Sequence, residues 1–248
     1  MASAAVINNP SQYFDFIRVG VDEPRWLDVM RLRYEVYCLE CRFLAARDYP
    51  DGLESDEFDK QSVHFAGVNS ESQVIATLRL VRDSRLGFPL ERHAGKFFPS
   101  FHELPRDRTV ELSRLILARR YRRRRNDGRY ATGGVGADAR APDEDPHHRA
   151  HRRSPYPLIL FGLFRGMFEE SLNTGLEYWL AAMEPWLQIF LERFGFVFTP
   201  VGHPIEYFGE VVPYAAKISD VVRTVAETKA EVLEVIMGSR QGAPARAG

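Results

Sequence analysis

Apolar and polar residues alternate in YFDFIRV, residues 13–19, and predict an opening strand. From residue 24 the period changes. In PRWLDVMRLRYEVYCLECRF, residues 24–43, Trp26, Leu27, Met30, Tyr34 and Tyr37 recur at helical spacing. They predict one helix, capped by Asp22 and with Pro24 in its first turn. SVHFAGVN (62–69) and QVIATLRLVRD (73–83) read as strands joined by a short polar turn. Residues 84–108 have little periodicity, and TVELSRLILA (109–118) is a further strand. Beyond residue 156 the pattern predicts a helix over 157–175, a strand over 177–184, and a helix over 185–196 with Pro at its start and Gly195 at its end. Strands follow at VFTPVG and 210–219, then a single helix over 220–237.

This order predicts an α/β (α+β) fold with a mixed central sheet flanked by helices. One domain is expected over residues 1–248, with two disordered parts. One is a basic insertion at 119–153, which has no apolar face to bury. The other is the tail at 238–248.

Composition adds mostly exclusions. With 248 residues, 45% hydrophobic, the chain can bury a sizeable core. A formal net charge of −1 gives no overall field that would select nucleic acid or membrane. The N-terminal stretch has neither a basic start nor a long apolar run, and PLILFGLF is stopped by Arg165, so no signal or transmembrane segment is expected. The expected location is the cytoplasm. Cys38 and Cys41 form a C-x-x-C, but no second pair completes a zinc site and the pair lies in a helical pattern, so they read as incidental. HHRAH (147–151) sits in the charged insertion and reads the same way; no metal is expected.

RRYRRRR, residues 119–125, admits three readings: a solvated edge, a nucleic-acid arm, or a docking patch for an acidic carrier protein. No groove-reading motif accompanies it, which argues against nucleic acid. GLESDEFDK, residues 52–60, carries Glu54, Asp56, Glu57 and Asp59 but does not match a calcium loop. Phe58 has reason to be buried, which would pin these carboxylates near the core beside Arg33, Arg79, and Arg114 with its neighbour Glu111. Glu57 is expected to face water.

In order, these pieces resemble the LuxI-type acyl-homoserine-lactone synthases, a branch of the GNAT-like acyltransferases. The matching residues are Arg33, Tyr37 and Phe43; Glu54-x-Asp56-x-x-Asp59; Arg79-Leu80; Glu111-x-Ser113-Arg114; and Gly202-His203-Pro204. The chain looks still more like the exosortase-associated (PEP-CTERM system) acyltransferases and is similar to the N-acyl amino acid synthases. It departs from the lactone synthases at Tyr37, Phe43 and Ala76, and Leu191 stands where GNAT enzymes often have a tyrosine.

The resemblance implies a sheet with a splayed central strand and transfer of a fatty acyl group to the amine of a small molecule, such as an amino acid. The donor would be the phosphopantetheine thioester of an acyl carrier protein, or acyl-CoA, as co-substrate, with no bound cofactor. It offers Glu54 and Glu111 as candidate bases with Arg114 beside them. Arg33, Tyr37, Phe43, Asp56, Asp59, Arg79 and Ser113 would hold substrate. Backbone donors at Leu115, Ile116 and Leu117 would meet the oxyanion. Arg119, Arg120, Arg122 and Arg123 would dock the carrier. Apolar residues of 156–168 and 178–190 would line an acyl channel. The competing expectations are a lactone synthase using S-adenosylmethionine and a non-enzymatic protein that binds through its Arg-rich insertion.

Overall fold

The computed structural model describes residues 13–93, 96–121 and 156–238. The insertion's HHRAH stretch, Arg122 and Arg123, and the tail beyond Gly238 lie outside the described residues. The strands are β1 (Asp15–Val19), β2 (Ser62–Val68), β3 (Val74–Arg82), β4 (Thr109–Leu117), β5 (Tyr178–Met183), β6 (Thr199–Pro200), β7 (Ile205–Glu206) and β8 (Glu210–Lys217). The helices are α1 (Arg25–Tyr34), α2 (Pro99–His102), α3 (Tyr156–Asn173), α4 (Pro185–Glu192), α5 (Ile218–Thr228) and α6 (Ala230–Met237).

The sheet runs β1-β2-β3-β4-β5-β8-β6, with β7 pairing β8. All neighbours are antiparallel except β4 and β5, which run parallel. That mixed sheet is the one the element order predicts. Alternating side chains cover its two faces. Val19 and Ala66 pack with Val29 and Met30 of α1, whereas Phe16 and Phe65 point to α3. The approach to α3 is close. A Cβ placed on Gly162 would lie 2.1 Å from the Phe16 ring, and one on Gly166 would lie 2.7 Å from Phe65. Gly-x-x-x-Gly puts both bare backbone positions on one helix face, so the rings lie directly on the backbone. The largest apolar cluster lies between the sheet and α3 to α6.

Three elements differ from the sequence reading. Asp22 makes no cap bond to α1; Pro24 occupies the N-cap with helical φ −54°. Its fixed φ already suits a helix start. The α-helix ends at Tyr34, and Glu35–Glu40 continues as a π-helix, with Cys41 N–H bonded to Val36 O at 2.8 Å. Helical side-chain spacing persists through such a wider turn, so periodicity alone does not reveal it. The predicted last helix is two, broken at Lys229 with φ −150° and ψ 76°. The apolar stripe of each packs on the same core, so the pattern runs on across the break.

Two irregularities shape the centre of the sheet. β4 pairs β5 only over Thr109–Leu112 with Tyr178–Ala181, and beyond that the strands part and leave a wedge. On its other side β4 is bulged against β3. Thr77 faces Ile116 and Arg79 faces Ser113, so Arg114 and Leu115 together oppose Leu78. Arg114 sits at φ 50°, in the left-handed region. An arginine there costs about 1–2 kcal/mol in backbone strain.

Candidate active site

The bulge turns Arg114 into a buried charge cluster. Arg33 arrives from α1, Glu54, Asp56 and Asp59 from the acidic loop, Arg79 from β3, and Arg114 from β4. Arg33 bridges Glu54 and Asp59, the latter at 2.7 Å. Arg79 Nη1 donates to Asp56 and to Asp59, both at 2.6 Å. Its Nε and Nη2 also donate to Ser113 Oγ at 3.1 and 3.0 Å. Arg114 Nη2 reaches Glu54 Oε1 at 3.0 Å and Asp56 Oδ2 at 2.9 Å. Three guanidinium groups thus meet three carboxylates, and the cluster is formally neutral. That balance is what lets Arg33, Arg79 and Glu54 sit at 0% exposure.

The loop is locked locally too. Glu54 N–H donates to Met30 O at 3.1 Å, Asp56 N–H to Asp59 Oδ2 at 2.7 Å, and Phe58 N–H to Asp56 Oδ1 at 3.0 Å. Phe58 is buried, as its type suggested, and the Arg92 guanidinium lies over its ring at 4.6 Å. Glu57 is exposed and pairs with Arg92 at the surface. Burial would raise the Asp59 carboxyl, but Arg33 and Arg79 outweigh it and hold it well below the usual carboxylate range. Glu54 is lowered in the same way by Arg114 and Arg33 against its burial. His64, buried beside Asp59, is pushed down to about 4 by desolvation and stays neutral.

Glu111 is different. Among the described residues it makes no ion pair, although Arg79 and Arg114 of the cluster are near enough to act on its charge. Its carboxylate accepts one hydrogen bond, from Leu90 N–H at 2.9 Å. Burial dominates and pushes its pKa up to about 8, against weaker pulls from that bond and from Arg79 and Arg114.

Glu111 lines a cavity of about 150 Å³ in the wedge. Ser113, Arg114 and Leu115 form one side of it, and Ala181, Ala182, Met183 and Glu184 the other. Partly exposed aromatic rings line its mouth. Phe208 stacks on Tyr37 (5.7 Å between centroids), Phe43 (5.3 Å) and Tyr207 (4.5 Å). The Arg114 guanidinium lies over the Tyr37 ring at 5.1 Å. The π-helix presents Tyr37 here, and its carbonyl accepts Phe43 N–H at 2.8 Å, drawing the two rings together. Burial, outweighing Arg114, raises Tyr37 to about 12 and keeps it a neutral phenol. Phe208 comes from the β7–β8 turn, at φ 58° before Gly209 at φ 108°.

The structure thus brings Arg33, Glu54, Asp56, Asp59, Arg79, Ser113 and Arg114 into one cluster, and Tyr37, Phe43, Glu111 and Leu115 to the adjoining cavity. Glu54 does not fit the role of base: both its oxygens are held by arginines and it does not line the cavity. Ile116 and Leu117 are buried, pair with Thr77 and Ala76, and do not reach the cavity either. Of the expected acyl-channel residues in 156–168, among the described ones only Phe164 lines it; its neighbours Ile159, Leu160, Phe161 and Leu163 are core. Arg119 and Arg120 lie exposed just after β4, with Arg120 tied to Gln73. Cys38 and Cys41 are not joined in a disulfide, and no metal-binding group occurs among the described residues. No described helix is long and apolar enough to cross a membrane.

Sequence reasoning missed Tyr207, Phe208 and Glu184. The signal for the first two was present in Tyr207-Phe208-Gly209, two exposed-type aromatics on a glycine turn, which core packing does not require.

Residues 32–129 match the family model described as an acetyltransferase (GNAT) domain. No curated protein matches the sequence. Among solved structures, BjaI, a CoA-dependent acyl-homoserine lactone synthase solved with MTA, superposes with a TM-score of 0.57 at 20% identity, over 90% of this chain and 87% of that one. The acyl-homoserine lactone synthase LasI superposes with a TM-score of 0.53 at 12% identity, over 88% of this chain and 94% of that one. FeeM, an N-acyl amino acid synthase from uncultured soil microbes, gives 0.51 at 15% identity, over 86% and 96%. At these identities the likeness shows the fold, and the fold is the GNAT-like one.

Proposed function

From the GNAT-like acyltransferase fold as premise, we propose that this chain is an N-acyltransferase that moves an acyl group from a pantetheine thioester to the amine of a small molecule. The observation that carries this reading is the Glu111 carboxyl, with no ion pair among the described residues, in a cavity where β4 and β5 part. A thioester lying in the wedge between the strands would bring its carbonyl beside that group.

An ordinary glutamate is a weak base for an amine; one with a pKa near 8 is matched to the task. The neutral amine attacks the thioester carbonyl. The proton lost from nitrogen as the C–N bond forms goes to the Glu111 carboxylate and passes to the departing sulfur as the C–S bond breaks. Amide, thiol and the starting carboxylate result. Backbone N–H groups where the strands part, around Leu115, are the candidates to meet the oxyanion. The aromatic rings at the mouth and Arg114 would hold the amine substrate. The neutral cluster fixes Arg114 and, through Ser113, the bulge itself. The exposed Arg119 and Arg120, with the arginines that follow, would meet the phosphates of an acyl carrier protein or of coenzyme A.

The test is incubation of the purified full chain with acyl-CoA and acyl-carrier-protein donors and a panel of amines that includes amino acids, read by mass spectrometry. A new amide supports the reading; folded protein that forms none with any pair overturns it. Release of methylthioadenosine when S-adenosylmethionine is the amine would identify the lactone-synthase alternative.

A further inference from the structure

The wedge is open at its aromatic mouth and shut at the other end by side chains that cannot easily yield. Phe164 (3% exposed), Leu191 (2%), Phe198 (4%) and Met183 (5%) form that end. Phe164 is braced from behind: its ring packs edge-on against Phe196 at 5.2 Å, and Phe196 stacks on Phe161 at 6.0 Å. Close-packed buried rings make a stop rather than a passage. The volume in front of the stop is about 150 Å³, and that figure includes the polar end at Glu111. A dry apolar cavity of about 150 Å³ holds one benzene molecule, which is about six carbons.

We propose that this cavity takes a compact acyl group of about six carbons, straight, branched or phenyl-bearing, in place of the long fatty chain that the family resemblance implies. The proposal rests on the acyl-transfer reading for the identity of the ligand. Its size limit comes from the cavity alone. Ala181 and Met183, both lining the cavity on β5, set opposite ends of that limit. Ala181→Leu fills space, and Met183→Ala opens the stop.

The experiment is calorimetric titration of the full chain with S-alkyl-CoA thioethers of about 2 to 14 carbons, a length range set by the capacity just given. These probes cannot transfer an acyl group, so binding and reaction are read separately. Affinity that rises to about six carbons and falls at least tenfold by about twelve supports the proposal. Met183→Ala should then move the optimum longer and Ala181→Leu shorter. Affinity that keeps rising to the longest chain, or no binding at any length, overturns it. Length-limited binding with no amide formed from any reactive donor would leave the size limit standing and overturn the acyl-transfer reading instead.

Discussion

Leu90 donates its backbone N–H to the Glu111 carboxylate at 2.9 Å, and this is the only hydrogen bond recorded for that buried group among the described residues. Leu90 lies in a short 3-10 turn, Pro89–Arg92, that sequence periodicity did not reveal. That turn thereby aims the carboxyl while leaving it without a cation. Glu111→Gln should keep the bond to Leu90 but lose the base. Acyl transfer should fall about 10²–10⁴-fold, with little change in donor affinity. In the unsubstituted chain the rate should climb with pH through about 8 as Glu111 deprotonates. A pH–rate profile flat across that range would remove Glu111 from the role.

The same shift has a stability signature. Glu111 titrates near 8 when folded and near 4.5 when unfolded. Between those values the unfolded chain has released a proton that the folded chain still holds, so this group's contribution falls as pH rises and levels off above about 8. His64 acts in the opposite sense over a lower window. It resists protonation down to about 4 when folded, so stability is lost as pH falls from 6.5 toward 4. Urea unfolding of the unsubstituted chain and Glu111→Gln across pH 4–9 should show the Gln variant gaining on the unsubstituted chain as pH rises from about 4.5 to about 8, with a constant difference above that.

The acidic loop separates by charge partner. Glu54→Ala leaves Arg33 and Arg114 buried with less anionic charge and should cost about 3–5 kcal/mol. Glu57→Ala breaks only a surface pair with Arg92 and should cost about 0–1 kcal/mol. Equal losses in denaturant midpoint would mean that the cluster is not what holds the loop.

Gly162→Ala should destabilise by about 1–3 kcal/mol, because the new methyl meets the Phe16 ring. Phe16→Leu should relieve part of that cost, so the double variant should be more stable than the sum of single changes predicts. Strict additivity would argue against the clash.

Phe208→Ala removes the ring that stacks on Tyr37, Phe43 and Tyr207. With the amine held there, KM for the amine should rise about tenfold or more while KM for the donor stays close to its original value. A change confined to the donor would place the aromatic wall on the wrong substrate.

Much of this was legible in the chain order. Alternation located β1, and β-prone apolar runs bounded by turns located β2 to β5, each to within a residue or two. The charge pairing of Arg33, Arg79 and Arg114 with the acidic loop was also legible. Phe58 had to be buried, and carboxylates next to a buried ring need cations. What local pattern could not decide were the departures from regular geometry: the π-helix that turns Tyr37, the bulge at Arg114, and the parting of β4 from β5. The last two involve strand partners distant in sequence. Arg114 tolerates a left-handed backbone because Glu54 and Asp56, some sixty positions earlier, bind its guanidinium. The different fates of Glu54 and Glu111 show the same division. Sequence made both candidate bases, and only tertiary packing surrounded one with arginines and gave the other a single N–H and a cavity, so that one stays ionised and the other holds its proton to about 8.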